Sequence, residues 1–143
     1  MKKGSVVGID FGEKRIGVAV SDSEKKIAFS LDVVQRSESS FGIKKLMRIL
    51  KGRDVDSFVV GVPYREDGAS VRETHEVFSY IESLREHFNV PVYTWDERYS
   101  TMIAEHTMIS AHVSREGRKA VIDKVAAQVI LQSWLDAHEK YTE

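Results

Sequence analysis

Cysteine is absent from this chain of 143 residues. That excludes a disulfide framework, a thiolate metal site and a cysteine nucleophile, and it fits a reducing, cytoplasmic setting. Long hydrophobic runs are also missing. No stretch approaches the roughly 18 apolar residues that cross a bilayer, so no membrane association is expected. The apolar run after Met1-Lys2-Lys3-Gly4 spans only about six residues, too short for a signal-peptide core. Proline occurs twice, and there is no repeat, low-complexity segment or linker, so residues 1–143 read as one domain. Charge of one sign is lacking as well. The formal net charge is −1, which gives no global attraction to a polyanion, and any nucleic-acid contact must come from local basic clusters. Hydrophobic residues make up 42% and charged residues 30%, enough for a true core under a solvated surface.

What is present is concentrated in one stretch, Gly8-Ile9-Asp10-Phe11-Gly12-Glu13-Lys14-Arg15-Ile16-Gly17-Val18-Ala19-Val20-Ser21-Asp22. An apolar strand ends in a carboxylate, a tight glycine-containing turn follows, and a second strand begins. An unpaired charge at the end of a core strand is costly, so Asp10 is expected to hold a metal ion or a phosphate. The plainer alternative is a turn residue accepting backbone N–H bonds within Phe11–Lys14.

Periodicity predicts strands over Val6–Asp10, Ile16–Ser21 and about Ile27–Val34, joined as a meander by short polar turns. A helix is expected over Ser40–Lys51, ended by Gly52. A strand covered on both faces follows over Ser57–Val62, stopped by Pro63. A helix over Val71–Phe88 leads to a short strand over Pro91–Trp95. Another helix runs from Arg98 or Tyr99 to about Ile109, and a last one from about Val121 to His138. The meander should be antiparallel and the two later strands parallel, joined by crossover helices. The expected fold class is α/β: a five-stranded mixed sheet with helices on both faces.

Two further acidic positions join Asp10. Asp96 and Glu97 stand at the C-terminal end of a predicted parallel strand, where open α/β sheets place their sites, although helix capping would also account for one of them. Asp123 lies in a segment that is apolar nearly all round. It shares a face with Ala127, Ile130 and Trp134, and Ala126 and Ala127 allow close approach to the sheet. Its alternative role is an N-cap for a helix starting at Lys124. The loop Gly61-Val62-Pro63-Tyr64-Arg65-Glu66-Asp67-Gly68 should rim the same cleft or simply connect strand to helix. Carboxylates from three elements that converge cannot all ionise cheaply without a cation. Oxygen ligands alone suit Mg²⁺ or Mn²⁺, and two such ions about 4 Å apart can activate water on a phosphodiester.

These residues resemble the YqgF family, also called RuvX, Holliday-junction-resolvase-like proteins of the RNase H-like fold linked to maturation of the pre-16S rRNA 5′ end. The resemblance covers nearly the whole chain. It is carried by Gly8-Ile9-Asp10-Phe11-Gly12 with Lys14-Arg15-Ile16-Gly17-Val18-Ala19 and Ser21-Asp22, by Gly61-Val62-Pro63 with Asp67-Gly68, by Asp96-Glu97-Arg98 with Ser100-Thr101, and by Asp123-Lys124-Val125-Ala126-Ala127. It implies an acidic nuclease site of Asp10, the Asp96–Glu97 pair and Asp123, with Glu97 as the metal-facing member of the pair. The chain departs from the family pattern at Val62-Pro63-Tyr64-Arg65-Glu66, where Leu-Pro and an Asn are usual, and at Tyr99, where Leu is usual.

Phosphate contacts are expected from Lys14, Arg15 and Arg98 beside the acids and from Arg115, Arg118, Lys119 and Lys124. Ser114–Lys119 is expected to be a mobile basic loop next to Asp123. Arg15 could instead pair with an acid across the sheet, and Tyr64 and Tyr99 could stack on unpaired bases or simply pack. The leading reading is a Mg²⁺- or Mn²⁺-dependent endonuclease for structured nucleic acid, either pre-rRNA or branched DNA, acting as monomer or homodimer. Two competing readings are a non-catalytic RNA- or protein-binding module and an actin-like nucleotide phosphatase. The latter normally needs two such domains.

Overall fold

The computed structural model describes residues 4–12, 14–36, 42–62, 71–96 and 115–139, with helical residues 71–74, 115–124 and 139 described by their backbone. The elements are β1 (Ser5–Phe11), β2 (Arg15–Ser21), β3 (Ala28–Gln35), α1 (Ile43–Ile49), β4 (Val55–Val62), α2 (Val71–Phe88), β5 (Val92–Asp96) and α3 (Arg115–Glu139). They form one five-stranded sheet in the order β3-β2-β1-β4-β5. β1–β2 and β2–β3 are antiparallel, whereas β1–β4 and β4–β5 are parallel. This is the mixed sheet that the pattern of short turns followed by helical crossovers requires.

Side chains alternate across the sheet and sort into two cores. On one face Val7, Ile9, Phe11, Ile16, Val18, Phe58, Val60 and Val62 pack with α1 and α2. Tyr80 of α2 is fully buried against Phe11 at 4.8 Å between ring centroids. On the other face Val6, Ala19, Ala28 and Val59 pack against Ala127, Ile130, Leu131 and Leu135 of α3. Three of the eight residues of the second core are alanines, and the helix lies close. A Cβ on Gly8 of β1 would stand 2.6 Å from the Leu131 Cβ and 3.1 Å from the Ala127 carbonyl oxygen.

Two glutamines fix the direction of α3. Gln132 accepts from the Ala28 N–H at 2.9 Å and donates to the Lys26 carbonyl at 2.9 Å, while Gln128 donates to the Ala28 carbonyl at 3.0 Å. Lys26 and Ala28 lie at the end of the sheet where β1 begins, so α3 descends antiparallel to β1 and its N-terminal half points to the edge where β1 ends. Trp134 stacks on Tyr93 of β5 at 5.4 Å, which ties the helix to the far strand.

Several boundaries differ from the sequence expectation. β3 is displaced one residue later, with a register irregularity at Val18/Ala19. α1 is shorter than Ser40–Lys51, because Gly42 enters it with φ 74° and Gly52 leaves with φ 85°, both left-handed. β4 starts two residues earlier, since Val55 pairs with Ser5. β5 begins after Pro91, whose carbonyl accepts from Phe58 N–H, and extends through Asp96. α2 matches its expected span. The largest correction is α3, which starts at Arg115 rather than Val121. Arg115–Lys119 is therefore helix and not a mobile loop. Its apolar periodicity begins only at Val121, but Arg, Glu, Lys and Ala are good helix formers. The helix expected from Arg98 or Tyr99 to about Ile109 lies outside the described residues.

Candidate active site

Asp10 is the penultimate residue of β1, half-buried. It shares the α3 face with Val6 and Gly8 by strand alternation. Its neighbours across the sheet are both glycines: Gly17 on β2 and Gly61 on β4, with Trp95 of β5 next in the row. Neither directly opposite residue carries a side chain, so the row forms a shallow trough in the sheet on either side of Asp10. Trp95 packs against the α3-side core and bounds that trough on the β5 side.

Helix α3 brings a second acid toward the same edge. Ala127 lies over Gly8, and Asp123 precedes Ala127 by one helical turn, an advance of about 6 Å along the axis. Asp10 follows Gly8 by two strand residues, about 7 Å in the same direction. The Asp123 backbone is thus level with Asp10 on the sheet face that α3 covers. With the helix starting at Arg115, Asp123 is an interior residue, and the capping role at a helix starting at Lys124 does not apply.

Strand parity sets Asp96 apart from Asp10. Asp96 registers with Val62, whose side chain lies in the α1/α2 core, while Trp95 lies on the α3 side. Asp96 therefore falls on the opposite face of the sheet from Asp10. Glu97 and Arg98 lie outside the described residues, as do Tyr64, Asp67, Gly68 and Tyr99. Among the described residues no three His, Asp or Glu side chains gather as a metal cluster.

The turn after Asp10 is closed by main chain. Gly12 N–H is shared between the Asp10 and Arg15 carbonyls, each at 3.0 Å. A Cβ on Gly12 would stand 2.5 Å from the Arg15 carbonyl oxygen, so only glycine fits. Lys14 is exposed at the turn, and Arg15 is half-buried on β2, two residues from Gly17 and on the same face. The Ser21-Asp22 pair has structural duties. The Ser21 hydroxyl accepts from Val6 N–H and donates to the Asp22 carbonyl. The Asp22 carboxylate accepts from Ile27 and Lys26 N–H groups, which hold its pKa below the ordinary value.

One residue of this region was not singled out by the sequence. Arg36, just after β3, donates from Nη1 to the Gly12 carbonyl at 2.9 Å, pairs with Glu76 of α2, and lies over the Phe11 ring at 4.3 Å. Its partners are far away in the chain, and an isolated arginine before Ser37-Glu38-Ser39 carries no local signal.

Comparison with known proteins agrees with this layout. The family described as "RuvX: Holliday junction resolvase" matches residues 4–137. A protein of Desulforamulus reducens named "Putative pre-16S rRNA nuclease" is 41% identical over 135 residues, covering 94% of this chain and 98% of the relative. A Bacillus thuringiensis protein of the same name is 42% identical over 134 residues, covering 92% and 98%. Among solved structures, Thermus thermophilus RuvC in complex with a Holliday junction superposes with a TM-score of 0.58 at 17% identity, covering 95% of this chain and 96% of that one. The Fowlpox virus resolvase bound to Holliday junction DNA gives 0.52 at 9% identity, covering 97% and 99%. The sheet order and the helix closing over β1 are thus those of the RuvC-like resolvases with an RNase H-like fold, and the chain belongs to the RuvX (YqgF) family.

Proposed function

We propose that the chain, a phosphodiester-hydrolysing nuclease by family, works as a metal-dependent endonuclease with an acidic site of Asp10, Glu97 and Asp123. The observation that carries this reading is the row Gly17–Asp10–Gly61 on the sheet face that α3 covers, with helix and strand in close contact at Gly8 and the Asp123 backbone level with Asp10. The residues fit a hard cation. Asp10 stands between two glycines in its row, and all the candidate donors are carboxylate oxygens, as Mg²⁺ and Mn²⁺ prefer. Asp96 has the parity of Val62 and not that of Trp95 and Asp10, which leaves it outside the metal set, and the family resemblance supplies Glu97 as the third ligand. The bound ions would supply an activated water and charge neutralisation at the leaving oxygen.

The protein's own part is to hold and orient. Asp10 is fixed by a strand paired on both sides, and Asp123 by a helix pinned through Gln128 and Gln132. Beyond Asp123, α3 continues for eight residues, about 12 Å, past the level of Asp10. At about 100° per residue, Lys119 stands about 40° and Arg115 about 80° from the Asp123 stripe, while Arg118 is about 140° away. Lys119 and Arg115, with exposed Lys14, are the preferred candidates for phosphates flanking the cut bond. Lys124, Arg15 and Arg98 remain secondary candidates.

For substrate, the full-length similarity to proteins named pre-16S rRNA nuclease favours rRNA precursor over branched DNA, since the resolvase structures share only the fold. The test is cleavage of a labelled pre-16S rRNA leader and of a four-way DNA junction, each with Mn²⁺, Mg²⁺ or EDTA. Metal-dependent cutting of the leader is expected. Cutting of the junction alone would reverse the substrate assignment, and tight binding without cutting under any metal would favour a non-catalytic module.

A further inference from the structure

We propose that Arg36 is a positioning residue for Asp10, clamping the turn that follows it from the opposite face of the sheet; this rests on the acidic-site reading above. Arg36 holds the β1–β2 turn at both of its ends. Its backbone N–H donates to the Lys14 carbonyl at 3.1 Å, and its guanidinium donates to the Gly12 carbonyl at 2.9 Å. The guanidinium plane also covers the Phe11 ring at 4.3 Å, and Phe11 in turn packs on the fully buried Tyr80. Glu76 of α2 pairs with the same guanidinium, whose side chain is only 15% exposed. Phe11 and Gly12 are the two residues directly after Asp10. Fixing the ring of one and the carbonyl of the other leaves Asp10 little freedom to rotate about its strand axis, whatever the trough holds.

The planar fork is what makes this possible. A guanidinium can direct one N–H to a carbonyl, another to a carboxylate, and still lie flat on a ring, whereas an ammonium cannot do all three. Groups that orient a metal ligand in this manner typically change metal affinity by about 10- to 100-fold when removed. Arg36 touches no reacting atom, so its loss should move metal affinity and turnover and leave nucleic-acid affinity nearly unaltered.

The variants are Arg36→Met, Arg36→Lys and Glu76→Gln, with Asp10→Asn as reference. Mn²⁺ affinity is measured by electron paramagnetic resonance without nucleic acid. Amide exchange at Gly12 is followed in metal-free protein, and kcat and KM are measured on the cleaved substrate. Arg36→Met should weaken Mn²⁺ binding about tenfold or more, speed exchange at Gly12, lower kcat and leave KM within about twofold. Arg36→Lys should recover only part of the affinity, and Glu76→Gln should show a smaller loss. Wild-type Mn²⁺ affinity and Gly12 exchange in Arg36→Met would overturn the proposal, as would full recovery by Arg36→Lys, which would reduce the effect to charge. Should Arg36→Met fail to fold, Glu76→Gln decides by the same readouts. Failure of the acidic-site reading is recognised separately, because Asp10→Asn would then bind Mn²⁺ as tightly as the wild type.

Discussion

Replacing Gly8 with alanine probes how closely α3 must approach the sheet for the acids to meet. The new Cβ would lie 2.6 Å from the Leu131 Cβ and 3.1 Å from the Ala127 backbone oxygen. Carbon atoms in contact prefer about 3.5–4.0 Å, so helix and strand must separate by about 1 Å. Neither obstructing atom is the free end of a flexible side chain. Overpacking of this kind costs about 1–3 kcal/mol, offset by about 0.5–1 kcal/mol because alanine loses less backbone entropy than glycine. The net loss is then at most about 2.5 kcal/mol, which corresponds to at most about 10 °C in melting temperature at this chain length. The functional effect should be larger than the stability effect. A separation of about 1 Å between Asp10 and Asp123 is enough for about a hundredfold loss in rate, at temperatures where the variant remains folded. The assay pairs thermal unfolding with initial rates of cleavage across a Mn²⁺ titration. A second substitution sharpens it: Leu131→Ala keeps the obstructing Cβ and should not rescue Gly8→Ala. Undiminished cleavage and unshifted Mn²⁺ dependence in Gly8→Ala would refute the claim that this contact sets the site.

Two further outcomes are expected. Lys119→Ala should weaken nucleic-acid binding and reduce its salt dependence by about one phosphate contact, while Arg118→Ala should change either quantity little; equal losses in filter-binding titrations would contradict the helical placement. Asp22 has a folded pKa below its ordinary value, so its contribution to stability is present above the unfolded pKa and is lost as pH falls through the folded one. Asp22→Ala should therefore flatten the acid limb of the stability–pH curve below about pH 4, by a modest amount because the group is exposed; an unchanged acid limb in urea titrations would count against this role.

Much of the architecture is legible in the residues because local pattern and tertiary demand coincide. Ser57–Val62 reads as a doubly covered strand because α1 and α2 cover one face and α3 the other. Val71–Phe88 reads as a helix because its apolar stripe matches its buried side, through Val77, Ile81 and Leu84. The start of α3 is not legible because its first five residues, Arg115-Glu116-Gly117-Arg118-Lys119, include no apolar side chain from which a period could be read. The acids at positions 10 and 123 stand out because charge is rare beside such apolar runs. The face of Asp96 cannot be read without register, since only its pairing with Val62 sets it apart from Asp10. Gly8 and Arg36 escape notice for a related reason: what each does depends on atoms more than 20 residues away, Leu131 for one and Gly12 for the other.

The central claim is that Asp10 and Asp123 hold a divalent cation at the end of β1. Anomalous diffraction from crystals soaked in Mn²⁺ tests it most directly, with Asp10→Asn crystals alongside. The account predicts a peak bonded to a carboxylate oxygen of Asp10 and within reach of Asp123 on α3, absent from Asp10→Asn. Mn²⁺ bound elsewhere, or a peak that survives in Asp10→Asn, would contradict it.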